Sequence, residues 1–344
     1  MLYATTRNPQ ESYTPAWALR DDRAPDGGFF VPFRAPYFDY SAQKRFREQS
    51  FLETEAEVLN SLLGSHLTCW DLLFGAGKSP VTVEKIGRHT YAVERFRNPG
   101  WEFSSYAEDV CRLLDGDGEK PGHWAYIAVS AAVLAGILAS FQQQGILKSG
   151  EAMDIAVDGR DYRTFCSCLY LKAWGLPIGR VICAMEESKG LWALIHDGEM
   201  QTDVLEPDSD TVDGLEEMLA AQRSQAEVKR FLNCVRRGKC YVPSETLLRH
   251  LRGNLGVSMI SPHRIADTIP AIYGTHNYFA GPRGALAYAG LLDYRAVSGS
   301  GNPALVLMDR LPDLDLVAMA DSLGLGTDQT DRMLKAAFTL GGSK

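Results

Sequence analysis

The chain has 344 residues, of which 45% are hydrophobic and 23% charged, enough to bury a large core. Its formal net charge of −8 at pH 7 has the wrong sign for a protein that binds nucleic acid or an anionic membrane by general electrostatics. The 32 glycines and 16 prolines form no low-complexity tract, so the composition predicts a mostly folded protein.

The first half of the chain predicts a loop-rich start followed by helices. We expect loops up to Pro36, a helix from its candidate cap Ser41 to about Leu63, a strand at 91–96 and a helix at 104–114. Residues 124–141 carry no charge and are long enough to span a membrane. Their alanine-rich composition and the lack of flanking basic residues favour a buried helix instead.

The second half alternates strands and helices. Residues 153–157, 161–174 and 180–185 predict a strand, a helix and a second strand, which together form a βαβ unit. Further helices are predicted at 212–219, 225–236, 243–251, 283–292 and 315–323, and a further strand at 304–308. This order of elements indicates an α/β fold with a mainly parallel sheet and flanking helices.

The N-terminal sequence and the cysteines predict a cytoplasmic protein. Residues 1–7 have neither the apolar core of a secretion signal nor the Arg- and Ser-rich pattern of a transit peptide. The seven cysteines are odd in number and include no Cys-x-x-Cys pair, which favours reduced thiols over disulfides or a zinc site. No two of the seven histidines are spaced i, i+4, so we expect no metal site.

Ligands of parallel sheets bind beyond the carboxyl ends of the strands, which points to the loops after residues 157, 185 and 308. The first of these loops lies before a predicted helix, whose N-terminus favours an anion. Two interpretations stay open: an anion site with Arg160 and Arg163, or Asp161 as a simple N-cap with solvated arginines. The negative charges of Asp158 and Asp161 favour the second. No hydrolase, kinase, metalloprotease or dinucleotide-binding signature is present.

Several segments resemble threonine synthases. The strings Tyr-Ala-Thr-Thr-Arg at 3–7 and Ala-Pro-Asp-Gly-Gly-Phe-Phe-Val-Pro at 24–32 are similar to the opening of that family, and 94–103, 175–184 and 281–285 resemble later segments in the same order. The resemblance runs along nearly the whole chain. It implies a fold type II pyridoxal-phosphate core, like that of tryptophan synthase beta. The activity it implies is the conversion of O-phosphohomoserine to threonine, in amino-acid metabolism.

The working residues of the family are not matched. Ser104, followed by Ser105, stands where the family has its Schiff-base lysine, and a serine hydroxyl cannot form an imine. The family's glycine-rich phosphate loop aligns with Gly159, Arg160, Asp161, Tyr162 and Arg163. Asp309 lies at the start of the segment that replaces the family's Thr-Ala-His-Pro, whose hydroxyl faces the pyridine nitrogen.

The interval that holds most of the family's small domain is reduced to residues 115–152. We therefore predict a threonine-synthase-like N-terminal region at 1–95 and an α/β core at 96–344, with the small cofactor domain truncated at about 104–152. Loss of this domain would remove one wall of the cleft and the lid that excludes water.

Our first hypothesis is a non-catalytic threonine synthase-like protein, retained as a small-ligand sensor or a protein-binding subunit. We expect no pyridoxal phosphate, no metal, no nucleic acid and no membrane, and a small anionic or amino-acid-like ligand or a protein partner. The candidate ligand-binding residues are Ser104, Ser105, Gly159, Arg160, Asp161, Tyr162, Arg163, Arg283 and Asp309.

The alternative is a pyridoxal-phosphate-dependent threonine synthase or a related lyase that uses a different lysine. The candidate lysines are Lys78, Lys148, Lys172 and Lys189, and the candidate acid–base groups are Glu94, Glu102, Asp158 and Asp161.

Overall fold

The computed structural model of the chain describes residues 2–76, 81–95, 103–115, 121–186, 189–206, 209–222, 224–308 and 312–340. The strands in these ranges are β1 (Tyr3–Thr5), β2 (Phe30–Pro32), β3 (Thr82–Gly87), β4 (Thr90–Glu94), β5 (Met153–Asp158), β6 (Ile178–Met185), β7 (Leu255–Met259) and β8 (Ala304–Met308). The helices are α1 (Pro15–Arg20), α2 (Tyr40–Phe46), α3 (Phe51–Leu63), α4 (Cys69–Asp71), α5 (Phe103–Asp115), α6 (His123–Gln143), α7 (Tyr162–Ala173), α8 (Lys189–His196), α9 (Asp210–Ala221), α10 (Gln225–Arg237), α11 (Glu245–Asn254), α12 (Pro262–His276), α13 (Pro282–Ser298), α14 (Leu316–Leu323) and α15 (Thr327–Leu340). A π-helical turn at Leu72–Ala76 follows α4, and a 3-10 turn at Pro312–Asp315 precedes α14.

A six-stranded sheet forms the centre of the molecule, in the order β3-β4-β8-β5-β6-β7. The hairpin partners β3 and β4 are antiparallel, and the other neighbouring pairs are parallel. Every residue of β5 and β8 is buried, as expected for parallel strands covered by helices on both faces. The predicted α/β fold with a mainly parallel sheet is confirmed, and the βαβ unit is β5-α7-β6.

Helix α6 is the apolar helix that the sequence predicts, and it lies inside the molecule. It is long and apolar enough to cross a membrane by length and composition, but 89% of its most apolar window is buried by the rest of the chain. It packs against α3 and α7. At Gly136 a Cβ atom would lie 2.8 Å from Cε2 of Phe51, so the glycine lets α3 approach closely. The prediction of a buried helix is confirmed.

The single helix predicted from Ser41 to Leu63 is wrong, because two helices occupy this stretch. Asp39, rather than Ser41, caps the first, with its side chain accepting a hydrogen bond from the Ala42 N–H at 2.9 Å. Ser50 begins the second helix through a reciprocal capping box with Glu53. A serine that satisfies the free N–H groups of a new helix competes with continuation of the old one, which explains the break.

The sequence pattern also misses several elements. Strand β7 follows α11 without a loop, and its Leu-Gly-Val-Ser-Met sequence was not predicted as a strand although its apolar residues alternate with Gly256 and Ser258. Gly256 in this strand lies against the ring of Tyr294, where a Cβ would be 2.9 Å from Cδ2. Close packing between strand and helix therefore requires this glycine. The other missed elements are β1, β2, β3, α1, α4, α8, α12 and α15.

The N-terminal residues dock onto α9 through a buried ion pair. Arg7 donates from Nε and Nη2 to the fully buried carboxylate of Glu216, at 3.0 and 2.8 Å. A Cβ at Gly27 would lie 2.7 Å from Nη1 of Arg7, and one at Gly28 would lie 2.9 Å from Oγ1 of Thr6. The family-like Asp-Gly-Gly string is thus needed for packing around Arg7.

The predicted division of the chain at residue 95 stays a prediction. Strands β3 and β4, which precede that residue, belong to the six-stranded sheet together with β8.

Candidate functional site

The candidate site lies where β4, β8, β5 and β6 end, because the carboxyl ends of parallel strands meet at one edge of the sheet. Asp158 is the last residue of β5, Arg95 directly follows β4, and α7 begins at Tyr162. These elements bring two cations and two carboxylates to the N-terminus of α7.

Arg95 is fully buried and connects three elements. Its Nη2 atom lies 3.0 Å from Oδ2 of Asp161, and its Nη1 donates to the Ser130 hydroxyl on α6 at 3.0 Å. Nη2 also donates to the hydroxyl of Thr164 on α7. The guanidinium carbon lies 4.3 Å from the ring centre of Phe103. A buried arginine with this many partners holds β4, α6 and α7 in one arrangement.

Asp158 is neutralised by a second arginine. Arg160 donates to both carboxylate oxygens, with Nε 3.0 Å from Oδ1 and Nη2 3.0 Å from Oδ2. The hydrogen bond to Asp158 raises the pKa of Arg160. The Nε atom of Arg283, at the start of α13, lies 3.8 Å from Oδ2 of Asp158, and Nη1 of Arg160 lies 3.4 Å from Glu186. The buried carboxylate therefore has its charge compensated from two sides.

Three N–H groups of the segment 159–164, which leads into α7, are bonded within the protein. The N–H of Gly159 donates to the Ala184 carbonyl at 2.7 Å, and that of Arg160 donates to Oδ1 of Asp158 at 3.0 Å. The N–H of Thr164 donates to Oδ1 of Asp161 at 3.1 Å. The interpretation of Asp161 as an N-cap is confirmed. Of these three groups, the Thr164 N–H belongs to the first turn of α7, where a helix can bind an anion.

Gly159 is required by packing rather than by a ligand. A Cβ at this position would lie 2.8 Å from both Sγ of Cys183 and Cγ of Met185 on β6. The loop therefore approaches the neighbouring strand too closely for any other side chain.

Two of the predicted loop residues point away from Asp158. The ring of Tyr162 fills the space beside Gly214 on α9, where a Cβ would lie 2.0 Å from Cδ1, and burial raises its pKa to about 12. Arg163 lies over the ring of Tyr126, with its guanidinium carbon 5.1 Å from the ring centre. The structure brings together Asp158, Arg160, Asp161 and Arg283 and assigns Tyr162 and Arg163 to packing on other helices.

The remaining predicted positions are only partly described. Ser104 and Ser105 lie in the first turn of α5, and for Ser104 only the backbone is described. Asp309, Lys78 and Glu102 lie outside the described residues. Lys172 lies at the other end of α7, where its Nζ donates to the Gly179 carbonyl.

Glu94 is buried at the end of β4, beside the hydroxyl of Tyr278 on the chain after α12. Burial and this carboxylate raise the pKa of Tyr278 well above its usual value. Across the described ranges, no group of three or more His, Cys, Asp or Glu side chains has an arrangement that could hold a metal ion.

Arg95 is the site residue that sequence reasoning misses. The sequence feature that could have identified Arg95 is its place directly after a predicted strand, within the segment that resembles threonine synthases. Its partners Ser130 and Thr164 belong to two different helices and give no local pattern.

No family model and no curated protein matches the chain. Solved structures do match over most of its length. A pyridoxal-phosphate-bound threonine synthase of Brucella melitensis aligns with a TM-score of 0.78 and 16% identity, covering 94% of this chain and 92% of that one. The threonine synthase of yeast aligns with a TM-score of 0.75 and 14% identity, covering 94% of this chain and 90% of that one. The threonine synthase of Escherichia coli aligns with a TM-score of 0.68 and 14% identity, covering 94% of this chain and 92% of that one. The chain therefore has the fold of threonine synthases.

Proposed function

We propose that this chain, built on the threonine synthase fold, is a non-catalytic protein that binds a small anionic or amino-acid-like ligand instead of converting one. The observation that carries the proposal is the pairing of charges around Asp158 and Asp161. These carboxylates accept hydrogen bonds from the N–H groups of Arg160 and Thr164 and pair with Arg160 and Arg95, while the side chains of Arg160 and Arg283 remain partly exposed to solvent.

A pyridoxal phosphate group does not fit this loop as it is folded. Its phosphate would have to compete with Asp158 and Asp161 for the N–H groups of Arg160 and Thr164, which these carboxylates already accept. It would also find a loop whose only glycine is packed against Cys183. The resemblance further places Ser104 at the family's lysine position, and a hydroxyl cannot replace an amine in imine formation. The residues present therefore do not fit the cofactor.

Two arginines at the same edge of the sheet support a binding role. The side chains of Arg160 and Arg283 are 51% and 39% exposed, although both lie near Asp158. Each guanidinium has five N–H donors in a planar fork, and one carboxylate uses only some of them. The exposed donors suit a carboxylate or a phosphate that approaches from solvent.

The cofactor part of the proposal is tested by titrating the purified protein with pyridoxal phosphate. Visible absorbance is recorded during the titration. Borohydride reduction then fixes any imine, and peptide mapping identifies the labelled lysine. We expect neither a saturable visible band nor a labelled lysine. Stoichiometric labelling of one lysine would overturn the proposal and favour a pyridoxal-phosphate enzyme that uses a different lysine.

The ligand part is tested by a thermal-shift screen of phosphorylated and carboxylated metabolites. A ligand that binds the folded state raises the unfolding temperature by an amount that grows with the logarithm of its concentration above Kd. We expect such concentration-dependent stabilisation, which Arg283→Gln weakens and which Arg249→Gln, a change on the exposed face of α11, leaves intact. A flat screen would contradict a small-ligand role and favour a protein partner.

A further inference from the structure

An open cavity of about 330 Å³ lies beside the β3-β4 hairpin, at the edge of the sheet. Its walls come from the start of α3, one face of the hairpin and the C-terminal half of α6, and we call it the hairpin cavity. Two of its apolar residues, Ile137 and Phe141, are almost fully buried. The other apolar residues of its walls are partly exposed and can be reached from solvent: Phe51, Val81, Val83, Tyr91 and Ile146.

A lysine and a tyrosine lie side by side in this cavity. Lys85 of β3 is paired with Tyr91 of β4 in the register of the hairpin, and both side chains line the cavity. The Cβ atoms of directly opposed residues in an antiparallel pair are about 5 Å apart. Within the described ranges, the Lys85 ammonium group and the Tyr91 hydroxyl form no hydrogen bond or ion pair. Both are therefore free to donate to one group of a ligand.

The walls of the hairpin cavity carry no opposing charge. Successive side chains of a strand point to opposite faces of a sheet, so Val83 and Lys85 share a face while Glu84 points to the other. No Asp or Glu is among the described residues that line the cavity, although the chain as a whole has a net charge of −8. An unpaired cation beside apolar walls is complementary to an anion with an apolar body.

From this complementarity we infer that the hairpin cavity is a second ligand site, which takes a small carboxylate with an aliphatic body. The carboxylate accepts hydrogen bonds from Lys85 and Tyr91. The aliphatic body contacts the partly exposed side chains of Phe51, Val83 and Ile146. A volume of about 330 Å³ is sufficient for a small molecule of this kind.

The hairpin cavity is separate from the candidate site. Ser130 of α6 accepts a hydrogen bond from Arg95 at the candidate site, whereas Phe141 of the same helix lines the hairpin cavity. These two helix positions are 11 residues apart, which corresponds to about 16 Å along the axis. One small ligand therefore cannot occupy both sites.

The probe for this inference is octanoate, and its binding to the full chain is measured by isothermal titration calorimetry. We expect saturable binding of one octanoate per chain. Binding of 1-octanol, which has the same aliphatic body without the charge, should be at least about tenfold weaker. Equal affinity for the alcohol would overturn the anionic part of the inference, and absence of saturable octanoate binding would overturn the whole.

A lysine variant tests the position of the carboxylate. Lys85→Gln removes an exposed, unpaired cation, so it should leave the fold intact and weaken octanoate binding about tenfold, with the affinity for 1-octanol unchanged. Lys229→Gln, at an exposed position of α10, is the control and should bind octanoate as the wild type does. Equal octanoate affinity of wild type and Lys85→Gln would contradict a contact between the carboxylate and Lys85.

A matched pair of serine variants tests the position of the aliphatic body. Ser140 lines the hairpin cavity, and its hydroxyl donates to the carbonyl of Gly136, four residues earlier in α6. Ser140→Phe fills the cavity and should abolish binding of octanoate and 1-octanol. The exposed Ser298 bonds to Tyr294 in the same way, so Ser298→Phe is the control and should bind both normally. Wild-type affinity in a folded Ser140→Phe variant would overturn the site.

The two proposed sites can fail separately, because octanoate also carries a carboxylate that could bind at the candidate site. Arg283→Gln changes the candidate site and should leave octanoate binding intact. Loss of octanoate binding in that variant, with normal binding in Lys85→Gln, would place the probe beside Asp158 and overturn the second site.

Discussion

Nη2 of Arg95 and Oδ2 of Asp161 lie 3.0 Å apart at the point where β4 ends and α7 begins. The arginine is 1% exposed and the aspartate also caps the helix. This pair holds the N-cap carboxylate of α7 in place, at the edge of the sheet where parallel folds commonly bind an anion.

Replacing Arg95 should be strongly destabilising. Arg95→Met leaves Asp161 without its cation and removes the donors to Ser130 and Thr164, so we expect a loss of about 3–5 kcal/mol in the free energy of unfolding. The loss in the free energy of unfolding is measured by urea denaturation. The control Arg249→Met breaks only an exposed pair with Glu245 and should cost less than about 1 kcal/mol. Similar losses in the free energy of unfolding of both variants would contradict a larger contribution from the buried Arg95.

Gly214 should not tolerate a side chain. Gly214→Ala places a methyl group 2.0 Å from Cδ1 of Tyr162, so the ring must move out of its buried position, at a cost of about 1–3 kcal/mol. The matched change Gly253→Ala, in α11, meets no atom within 4 Å and should stabilise by about 0.5–1 kcal/mol through helix propensity. Thermal unfolding of both variants distinguishes the two effects, and equal shifts would contradict the packing of Tyr162.

Stability should fall with rising pH because of Glu55. Burial raises the pKa of this carboxyl to about 8, and its Oε1 accepts a hydrogen bond from the Tyr106 hydroxyl at 2.8 Å. In the unfolded chain the group ionises near pH 4.5. Between these values the folded state therefore holds one more proton, so the free energy of unfolding decreases as pH rises through this window.

The substitution Glu55→Gln tests this dependence, because the amide keeps an acceptor for Tyr106 and does not ionise. Denaturation at a series of pH values from 5 to 8 should show the variant gaining stability relative to wild type as pH rises. Glu84→Gln, on an exposed position of β3, is the control and should keep the wild-type slope. Parallel curves for wild type and Glu55→Gln would contradict a buried, protonated Glu55.

Restoring a lysine alone should not restore cofactor binding. Ser104→Lys supplies the amine that the resemblance places at this position, but Asp158 and Asp161 still accept the hydrogen bonds of the Arg160 and Thr164 N–H groups. We expect no saturable visible band with pyridoxal phosphate. A band in this variant would show that the α7 N-terminus is compatible with the cofactor phosphate.

Local sequence patterns were sufficient for much of the fold. The strands and helix of the β5-α7-β6 unit, the buried apolar helix α6 and the Asp161 cap each depend on residues close together in the chain, where periodicity and capping act. The order of motifs along the chain also indicated the threonine synthase fold. Ser41 failed as a helix start because Asp39 and Ser50 satisfied helix N-termini on either side of it.

The character of the candidate site depended on tertiary structure. Arg95 and Asp161 are 66 residues apart, and Arg283 approaches Asp158 from a helix near the end of the chain. No local pattern specifies which charges meet, because that is decided by the strand order and by the helices that cover the sheet. The sequence by itself predicted the α/β class and many of the helices and strands, because periodicity and capping are local, whereas tertiary packing decided which arginines pair with Asp158 and Asp161.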